Sequence, residues 1–462
     1  MPAPVVHDHG VGCGRAGDGV IAQQVKSGVQ TRVRWGLQHG VVGLAVKRAA
    51  RTGDLQALSV VDPAHRADPY PLYARVRARG PLVPGKLGHV TATHAVAADV
   101  LRSEDFRAGP DDEVLPRTVR GLLRWSRDTA ALGPIDPPSL LVTEPPDHTK
   151  HRRLVSKVFT ARAVEGLRAR VQTIADGLLD DLARHPRADL VEAYCSRLPV
   201  TVITEILGVR PEDQPQVLAY GRAGAPSLDV GLTWRQFRDV DTAVRGFSTW
   251  LGAHLERLRR EPGTDLLSQL VQLEDEGQRL DDTELRAVAG LVLAAGFETT
   301  VNLLGSGTVL LLQHPEQLAR LRDEPALWST AVDEVLRYES PVQLTARFAV
   351  RPTEVGGHRL PTGGVVVTML GGANRDPAAF VDADRFDVGR TNARDHLSFS
   401  AGRHFCLGAA LARVEGEVGL RTLFQRFPDL ALAPGTRRTT TRVLRGWESL
   451  PVTTGRPAPA LL

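Results

Sequence analysis

The feature that most constrains this chain is a long apolar segment, residues 288–312, in which Glu298 is the only charged side chain. The segment is long enough to cross a bilayer. We predict a buried helix instead, because Glu298 and Asn302 lie in its middle, where a lipid-facing helix tolerates polar groups poorly. N-cap residues at 281–284 and the His-Pro pair at 314–315 predict a helix of roughly 32 residues. Such a helix, apolar on all sides, crosses the centre of a large domain.

Composition excludes several classes of protein. The chain has 462 residues, 42% hydrophobic and 24% charged, which is typical of a soluble globular protein. Its net charge of +4 gives no sign of nucleic-acid binding. Cys13, Cys195 and Cys406 are too few and too widely spaced for a disulfide framework or a zinc site. This cysteine usage fits a reducing compartment, and we expect a cytoplasmic protein.

The hydrophobic pattern predicts a mainly α-helical fold with a minor β-sheet region. Helical periodicity dominates, as in 161–182 and 234–260, whereas strand patterns are confined to short stretches between 342 and 370 and to 443–452. No internal repeat or linker divides the chain. Residues 61–462 are therefore expected to form one large domain.

Residues 1–60 are expected to be an N-terminal extension, partly loose or an amphipathic helix. The first thirty residues lack the basic start and apolar core of a signal peptide. Residues 32–51 contain an apolar stretch with basic residues on both sides. This pattern fits either a helix packed on the body of the protein or peripheral contact with a membrane surface. Both interpretations stay open, and no transmembrane span is expected.

The segment 399–408 delivers a cysteine just before a clean amphipathic helix. Cys406 should meet the unpaired N–H groups and the positive dipole end of that helix, which favour thiolate over thiol. A thiolate suits redox-active iron. Gly402 and Gly408 would let the backbone approach a flat macrocycle, since no Cβ intervenes. Taken alone, a cysteine before a helix is more often a small buried apolar residue.

In its surroundings this segment resembles the haem-ligand loop of the cytochrome P450 family of haem-thiolate enzymes. The family pattern is Phe-x-x-Gly-x-x-x-Cys-x-Gly, and Phe399, Gly402, Cys406 and Gly408 occupy its fixed positions. Ser400 stands where many bacterial members have Gly, so we expect a local adjustment of that turn. The resemblance implies that haem b (iron protoporphyrin IX) lies between the long central helix and the helix after Cys406, with Cys406 as the metal ligand.

Further motifs follow in the order that the family requires. Glu334 and Arg337 match Glu-x-x-Arg, whose two members share one helix face and can pair. Arg385 and Phe386 resemble the family's Pro-x-Arg-Phe stretch, although Ala383 stands where Pro is usual. The resemblance implies that Arg385 joins Glu334 and Arg337 in a structural cluster that holds the haem loop.

Residues 295–300 of the long helix resemble the family's oxygen-activation motif. A glycine within a helix costs about 1 kcal/mol relative to alanine, which is explicable if a cofactor or O₂ presses on the helix at Ala295 and Gly296. Thr299 can bond back to a carbonyl one turn earlier, and Glu298 offers a proton donor. The resemblance implies that Glu298 and Thr299 are catalytic and relay protons to dioxygen.

Four separate side chains match positions at which the family binds haem propionates. His148 and Arg152 resemble its His-x-x-x-Arg pair and share a helix face, and Arg347 and His404 occupy the other two positions. Each taken singly would be an ordinary surface charge. Together they match two carboxylates.

The resemblance implies a monooxygenase that takes O₂ and a hydrophobic small-molecule substrate. Two electrons would come from NAD(P)H through a ferredoxin reductase and a ferredoxin. An acidic ferredoxin could meet a basic patch of Arg403, Arg413, Arg152 and Arg153. Neither the substrate's identity nor the oligomeric state follows from the sequence.

Three rival interpretations are distinguishable. A haem-based gas sensor or haem carrier needs no acid-alcohol pair, whereas this chain has Glu298 and Thr299. A peroxide-driven peroxygenase of the family typically has Arg-Pro in place of that pair. A helical protein without cofactor would have to match five ordered motifs by coincidence.

Overall fold

The computed structural model describes residues 28–458 apart from 112, 114–115, 129–130 and 275–276. The expectation that the first residues form a loose arm therefore lies, for 1–27, outside the described residues. In the described part of the chain the α-helices are, in order, α1 (28–35), α2 (Val41–Ala50), α3 (Leu55–Val61), α4 (Pro63–Ala67), α5 (Tyr70–Arg79), α6 (His94–Arg102), α7 (Arg117–Ser126), α8 (Asp147–Val158), α9 (Ala161–Gly166), α10 (Arg168–Leu182), α11 (Arg197–Ile206), α12 (Gln214–Gly224), α13 (Trp234–Arg260), α14 (Leu266–Gln272), α15 (Asp282–Gln313), α16 (Pro315–Asp323), α17 (Trp328–Tyr338), α18 (Leu370–Ala373) and α19 (Ala409–Arg426).

Short strands complete the fold, so the prediction of a mainly α protein with a minor sheet region is confirmed. They are β1 (Val83–Pro84), β2 (His89–Thr91), β3 (Phe106–Arg107), β4 (Arg187–Asp189), β5 (Thr345–Ala349), β6 (Thr353–Val355), β7 (His358–Leu360), β8 (Val365–Thr368), β9 (Ala431–Leu432), β10 (Arg437–Arg438), β11 (Trp447–Ser449) and β12 (Pro451–Thr453). The largest sheet has the order β1-β2-β8-β5-β3, with β2 and β8 parallel and its other pairs antiparallel.

The helix α15 is the centre of the molecule. Its 32 residues span about 48 Å. Asp281 and Glu284 form a capping box at its start, each side chain accepting the other's backbone N–H at 2.8 Å. Among the described residues it is the one helix long and apolar enough to cross a membrane. It packs instead against α11, α13, α17 and α19 in the main hydrophobic core, as the sequence predicts.

The N-terminal helix is fastened to the connection between α12 and α13. A π-helical turn, Gly36–Gly40, joins α1 to α2, so residues 28–50 form one continuous rod. Trp35 Nε1 donates to Leu232 O at 2.9 Å, and the Trp35 ring meets the Trp234 ring edge-on at 5.7 Å. The inner side of α2 is buried against α3. One side of this helix is thus packed on the body of the protein.

A buried carboxylate organises the segment between α17 and the Cys406 loop. Glu334 on α17 is fully buried and accepts hydrogen bonds from Arg337 Nε at 2.7 Å and Nη2 at 2.8 Å. The second arginine is Arg390, whose Nε lies 3.1 Å from Glu334 Oε2. The prediction that Arg385 fills this place is wrong. Its side chain is exposed, and only its carbonyl oxygen joins the cluster.

Arg390 takes this position because the chain turns back on itself between residues 381 and 390. Arg390 also donates to Val381 O at 2.6 Å and to Asp382 O at 3.2 Å. Asp382 has a φ of +49°, a left-handed conformation that helps to reverse the chain. The turn leaves the side chain of Arg385 outside and brings that of Arg390 inside.

Hydrogen bonds connect this cluster to the Cys406 loop. Arg337 Nη1 donates to Asn374 O at 2.9 Å, and Asn374 Nδ2 donates to Ser398 Oγ at 2.8 Å. Ser398 Oγ donates in turn to Leu336 O on α17 at 2.6 Å. The position of the loop therefore depends on the charges buried at Glu334.

Replacing Arg390 should destabilise the protein, whereas replacing Arg385 should not. Arg390→Ala leaves the buried Glu334 carboxylate with a single cation, which we expect to cost about 3–5 kcal/mol. Arg385→Ala removes an exposed side chain and should change stability by less than about 0.5 kcal/mol. Urea denaturation of both variants measures the difference. Equal losses in the two variants would contradict the assignment of Arg390.

Candidate active site

The Cys406 loop has a backbone that only certain residues can adopt. Cys406 N donates to Phe399 O at 2.9 Å and closes the loop. Gly402 has a φ of +67°, and a Cβ there would lie 2.6 Å from Leu101 O on α6. Glycine is therefore required at this position. Ser400 has a φ of +61°, so the residue that departs from the family pattern sits in the left-handed region that favours glycine.

The thiol of Cys406 is partly accessible but surrounded by protein. Burial raises its pKa above the ordinary value, while the Gly408 N–H group and the charges of Arg152 and Arg413 act in the opposite direction. The Gly408 N–H group just before α19 thus favours thiolate as expected, although the effect of burial is larger.

The central helix contributes a second set of groups. Thr299 Oγ1 donates to Ala295 O at 3.1 Å, the back-bond that the sequence predicts. Ala295 is exposed although Leu293 and Phe297 on either side of it are buried. Burial raises the pKa of Glu298, opposed by the charge of Arg222. Helix α15 therefore presents a hydroxyl and a carboxyl with raised pKa beside an accessible stretch of its surface.

Gly296 lies where two helices pack closely. A Cβ at this position would lie 3.0 Å from Ile203 Cγ1 on α11, closer than nearly all real contacts of this kind. The missing side chain is thus explained by close packing of α15 on α11. The hypothesis that a cofactor or O₂ presses on Gly296 is not needed to account for it.

Two arginines near the loop have no carboxylate within ion-pair distance among the described residues. Arg347 on β5 is buried and donates to Thr345 Oγ1 at 3.1 Å and to Ala346 O at 2.9 Å, with Ser400 Oγ at 3.5 Å. Burial lowers the pKa of Arg347 to about 10, and it also lowers the pKa of the half-buried Arg152 on α8. Both guanidinium groups remain charged at neutral pH and are suited to an anion.

Two histidines lie side by side here, with ring centroids 4.5 Å apart. His148 on α8 is buried, and its Nε2 has no hydrogen-bond partner. Burial, with the charges of His404 and Arg152, lowers the pKa of His148 to about 4, so its ring is neutral at pH 7. The nitrogens of His404 each lie 3.3 Å from a protein oxygen, Leu140 O and Glu144 Oε1. His404 therefore meets an anion only by giving up its contact with Glu144.

These groups fit a planar macrocycle that carries two carboxylates and one metal ion. Arg347, Arg152 and His148 supply donors that form no ion pair in the described part of the chain, and no described atom lies within 4 Å of the place where a Cβ on Gly408 would be. Cys406 supplies one sulfur, and among the described residues no three His, Cys, Asp or Glu side chains converge to hold a metal without a macrocycle. The residues present thus fit haem.

The basic patch proposed for a redox partner is mostly neutralised. Arg403 Nη1 lies 3.3 Å from Glu144 Oε2. Arg413 Nε lies 2.8 Å from Asp333 Oδ1, and its guanidinium stacks on Phe399 at 4.8 Å. These two charges are already paired, so the structure does not support a free patch of four arginines.

Sequence reasoning missed two residues of this region. Glu144 accepts the Ala108 N–H at 2.6 Å and contacts both His404 and Arg403. Glu415 on α19 is buried, and burial raises its pKa well above the ordinary value, with a hydrogen bond from Thr300 on α15 acting against this. Neither residue belongs to a motif that we used. Their helical or loop positions resemble those of many surface carboxylates.

Comparison with known proteins decides the family. The sequence pattern described as cytochrome P450 matches residues 131–442. The chain belongs to the cytochrome P450 family. Cytochromes P450 use haem b, and the enzymes are haem-thiolate monooxygenases.

Individual relatives agree over most of the chain. "Putative cytochrome P450 140" of Mycobacterium tuberculosis is 54% identical over 431 residues, which is 92% of this chain and 98% of the relative. The "6-deoxyerythronolide B hydroxylase" of Saccharopolyspora erythraea is 38% identical and covers 83% of this chain and 96% of its own. The myxobacterial cytochrome P450 CYP267B1, solved in complex with myristic acid, has 35% identity and a TM-score of 0.76, covering 85% and 98% of the two chains.

Cys406→Ser should abolish the ferrous-CO absorption band that is characteristic of thiolate-ligated haem, because the hydroxyl cannot replace the soft sulfur ligand. Cys195→Ala is the matched control, since Cys195 is fully buried in the main core and belongs to no motif. Its band should be unchanged. A thiolate band that survives in Cys406→Ser would exclude Cys406 as the iron ligand.

Proposed function

We propose that this chain inserts one oxygen atom from O₂ into a hydrophobic organic substrate. The proposal rests chiefly on the Glu298 carboxyl next to the back-bonded Thr299, one turn after the exposed Ala295 of the central helix. A haem carrier or gas sensor has no use for this pair. Electrons would come from NAD(P)H through a separate ferredoxin reductase and ferredoxin, in the cytoplasm.

The class of substrate is supported by what related proteins act on or hold. One relative is named as a hydroxylase of 6-deoxyerythronolide B, and a structural neighbour was solved with myristic acid. These molecules differ in shape but are both largely apolar. We therefore propose an apolar substrate without assigning it to fatty acids, sterols, terpenes or polyketides.

Bound haem supplies the activation of O₂, and residues of this chain hold it in place. We propose that Cys406 is the iron ligand and that Arg152 and Arg347 neutralise the two propionates. The neutral His148 would donate a hydrogen bond through Nε2 rather than act as a cation. His404 would contribute after exchanging its contact with Glu144.

The proposed proton path begins at Glu298. Because its pKa is raised, this carboxyl stays protonated to a higher pH than an ordinary glutamate and can donate closer to neutral pH. The Thr299 hydroxyl donates a hydrogen bond to Ala295 O, which leaves the lone pairs of Oγ1 free to accept a hydrogen bond from another group. Thr299 can therefore hold a proton donor in position while the substrate is oxidised.

Turnover with defined components tests the proposal. The haem-loaded protein with ferredoxin, ferredoxin reductase, NADPH and O₂ should oxidise an apolar compound that shifts its ferric Soret band on binding. The product should carry label from ¹⁸O₂, because the inserted atom comes from dioxygen. Product formed from added H₂O₂ alone, and not from NADPH and O₂, would indicate a peroxygenase. If neither mixture gives any product, the protein is a carrier or a sensor.

Thr299→Ala should uncouple electron consumption from product formation. Haem and substrate should bind nearly as in wild type, whereas H₂O₂ should account for most of the NADPH consumed, because the misplaced proton releases peroxide. Thr308→Ala is the matched control: this threonine makes the same bond to the carbonyl four residues earlier, Leu304 O, at 2.8 Å in the same helix. Measuring NADPH, peroxide and product decides the matter. Full coupling in Thr299→Ala would remove Thr299 from the path.

A further inference from the structure

The N-terminal helix has an apolar side that the rest of the protein does not cover. In α2, Val46 and Ala49 are buried in a small core cluster. On the other side, Val41 and Leu44 leave 65% and 71% of their surfaces exposed, and Ala45 continues the exposed side. These three positions lie at helical spacing. Arg48, four residues after Leu44 and seven after Val41, is exposed on this side too, so helix α2 has one packed apolar side and one exposed side of apolar and basic residues.

Helix α7 presents a similar side close to the start of this rod. Leu122 and Trp125, one turn apart, are each 41% exposed. Gln30 Nε2 on α1 donates to Trp125 O at 2.9 Å, which fastens α7 to the N-terminal helix. Val29, next to Gln30, is exposed as well. The exposed apolar residues of the two helices are thus neighbours at this contact.

The connection between α12 and α13 adds one more such residue. Val230 is exposed, and the adjoining Gly231 packs against Gly43 of α2, where a Cβ on Gly43 would lie 3.4 Å from Gly231 Cα. Of the eleven large apolar side chains that are exposed in the described part of the chain, six lie on these three segments. We call them the N-terminal apolar surface: Val29, Val41, Leu44, Leu122, Trp125 and Val230.

Charges on the two helical segments of this surface have one sign, since residues 28–53 and 117–126 contain no Asp or Glu. Five exposed cations have no carboxylate within ion-pair distance among the described residues: Lys47, Arg48, Arg51, Arg117 and Arg124. The acids nearby, Asp229 and Asp241, are each paired with an arginine. An anionic partner would therefore meet unpaired positive charge on both helical segments.

We propose that the N-terminal apolar surface binds an anionic lipid membrane. Exposed apolar side chains on helices, the tryptophan of α7 among them, with lysine and arginine beside them are the features of helices that lie in the membrane interface. Such binding needs only apolar and charged groups on one side of the molecule, whereas a protein partner must also match their shape. This inference is independent of the proposed enzymatic function.

Sedimentation with lipid vesicles tests the proposal on the full-length, haem-loaded protein. The protein should bind vesicles of phosphatidylcholine and phosphatidylglycerol in equal parts, and bind phosphatidylcholine alone much more weakly. Leu44→Glu combined with Trp125→Glu should lower the partition coefficient by at least about tenfold. Lys47→Gln combined with Arg48→Gln should lower it by about fivefold per charge.

Val350→Glu combined with Val381→Glu is the matched control. Both valines are exposed and lie outside the N-terminal apolar surface, and the change in net charge equals that of the first variant. This control should bind as wild type does. Ferrous-CO spectra and thermal unfolding report that each variant is folded.

Three results would overturn the proposal. The first is wild-type protein that binds neither kind of vesicle, as it would if residues 1–27 covered the surface. The second is an equal loss of binding in the control and in the Leu44 and Trp125 variant, which would reduce the effect to net charge. The third is a wild-type dimer that this variant converts to monomer, which would make the surface an interface between two copies.

Discussion

A single carboxylate in the core, that of Glu334, sets much of the arrangement around the active site. An unpaired charge at full burial would be very costly, so the fold must bring cations and backbone donors to it. Arg337 comes from the same helix, whereas Arg390 and the Asp387 N–H come from a distant loop. Satisfying Glu334 therefore fixes that loop, and Asn374 and Ser398 carry the constraint on to the cysteine loop.

In contrast to the Glu334 cluster, the active site contains buried polar and charged groups that are not paired. Among the residues that the structure describes, the buried Arg347 and the half-buried Arg152 form no ion pair and the Nε2 of the buried His148 has no hydrogen-bond partner, while Ser400 holds a left-handed backbone. Each of these features costs stability where it stands. Such costs collect at functional sites, because the groups are placed for a ligand rather than for the protein. The contrast with the satisfied Glu334 cluster marks where haem belongs.

Features set by local chemistry could be predicted from the sequence, and those set by the path of a loop could not. The helix α15 begins and ends as predicted because its capping box and its His-Pro stop are local. Gly402 and Cys406 were recognisable because the backbone of their loop demands particular residues. In contrast, the motif pointed to Arg385, whereas the turn between residues 381 and 390 brings the side chain of Arg390 inward instead.

Packing between elements that are distant in the sequence could not be predicted from the sequence either. Gly296 signalled a close approach, but the sequence could not tell whether a cofactor or the side chain of Ile203 approaches it. The pairing of charges could not be predicted from the sequence either. Arg413 was expected to be an unpaired surface charge, whereas Asp333 lies 2.8 Å from it. Motif spacing identifies the residue types of this site, while their partners depend on contacts between elements that are far apart in the sequence.

The fastening of the N-terminal rod also has a consequence for how the chain is made. Leu232 O accepts from Trp35, while Asp229 in the same connection accepts the N–H groups of Arg442 and Val443 at 3.0–3.1 Å. The connection is thus completed only after the last strands have left the ribosome. Helix α2, in contrast, can pack against α3 as soon as residues 55–61 are made. The two ends of the rod are therefore secured at different times, α2 by its neighbour in sequence and α1 by a connection that is completed late.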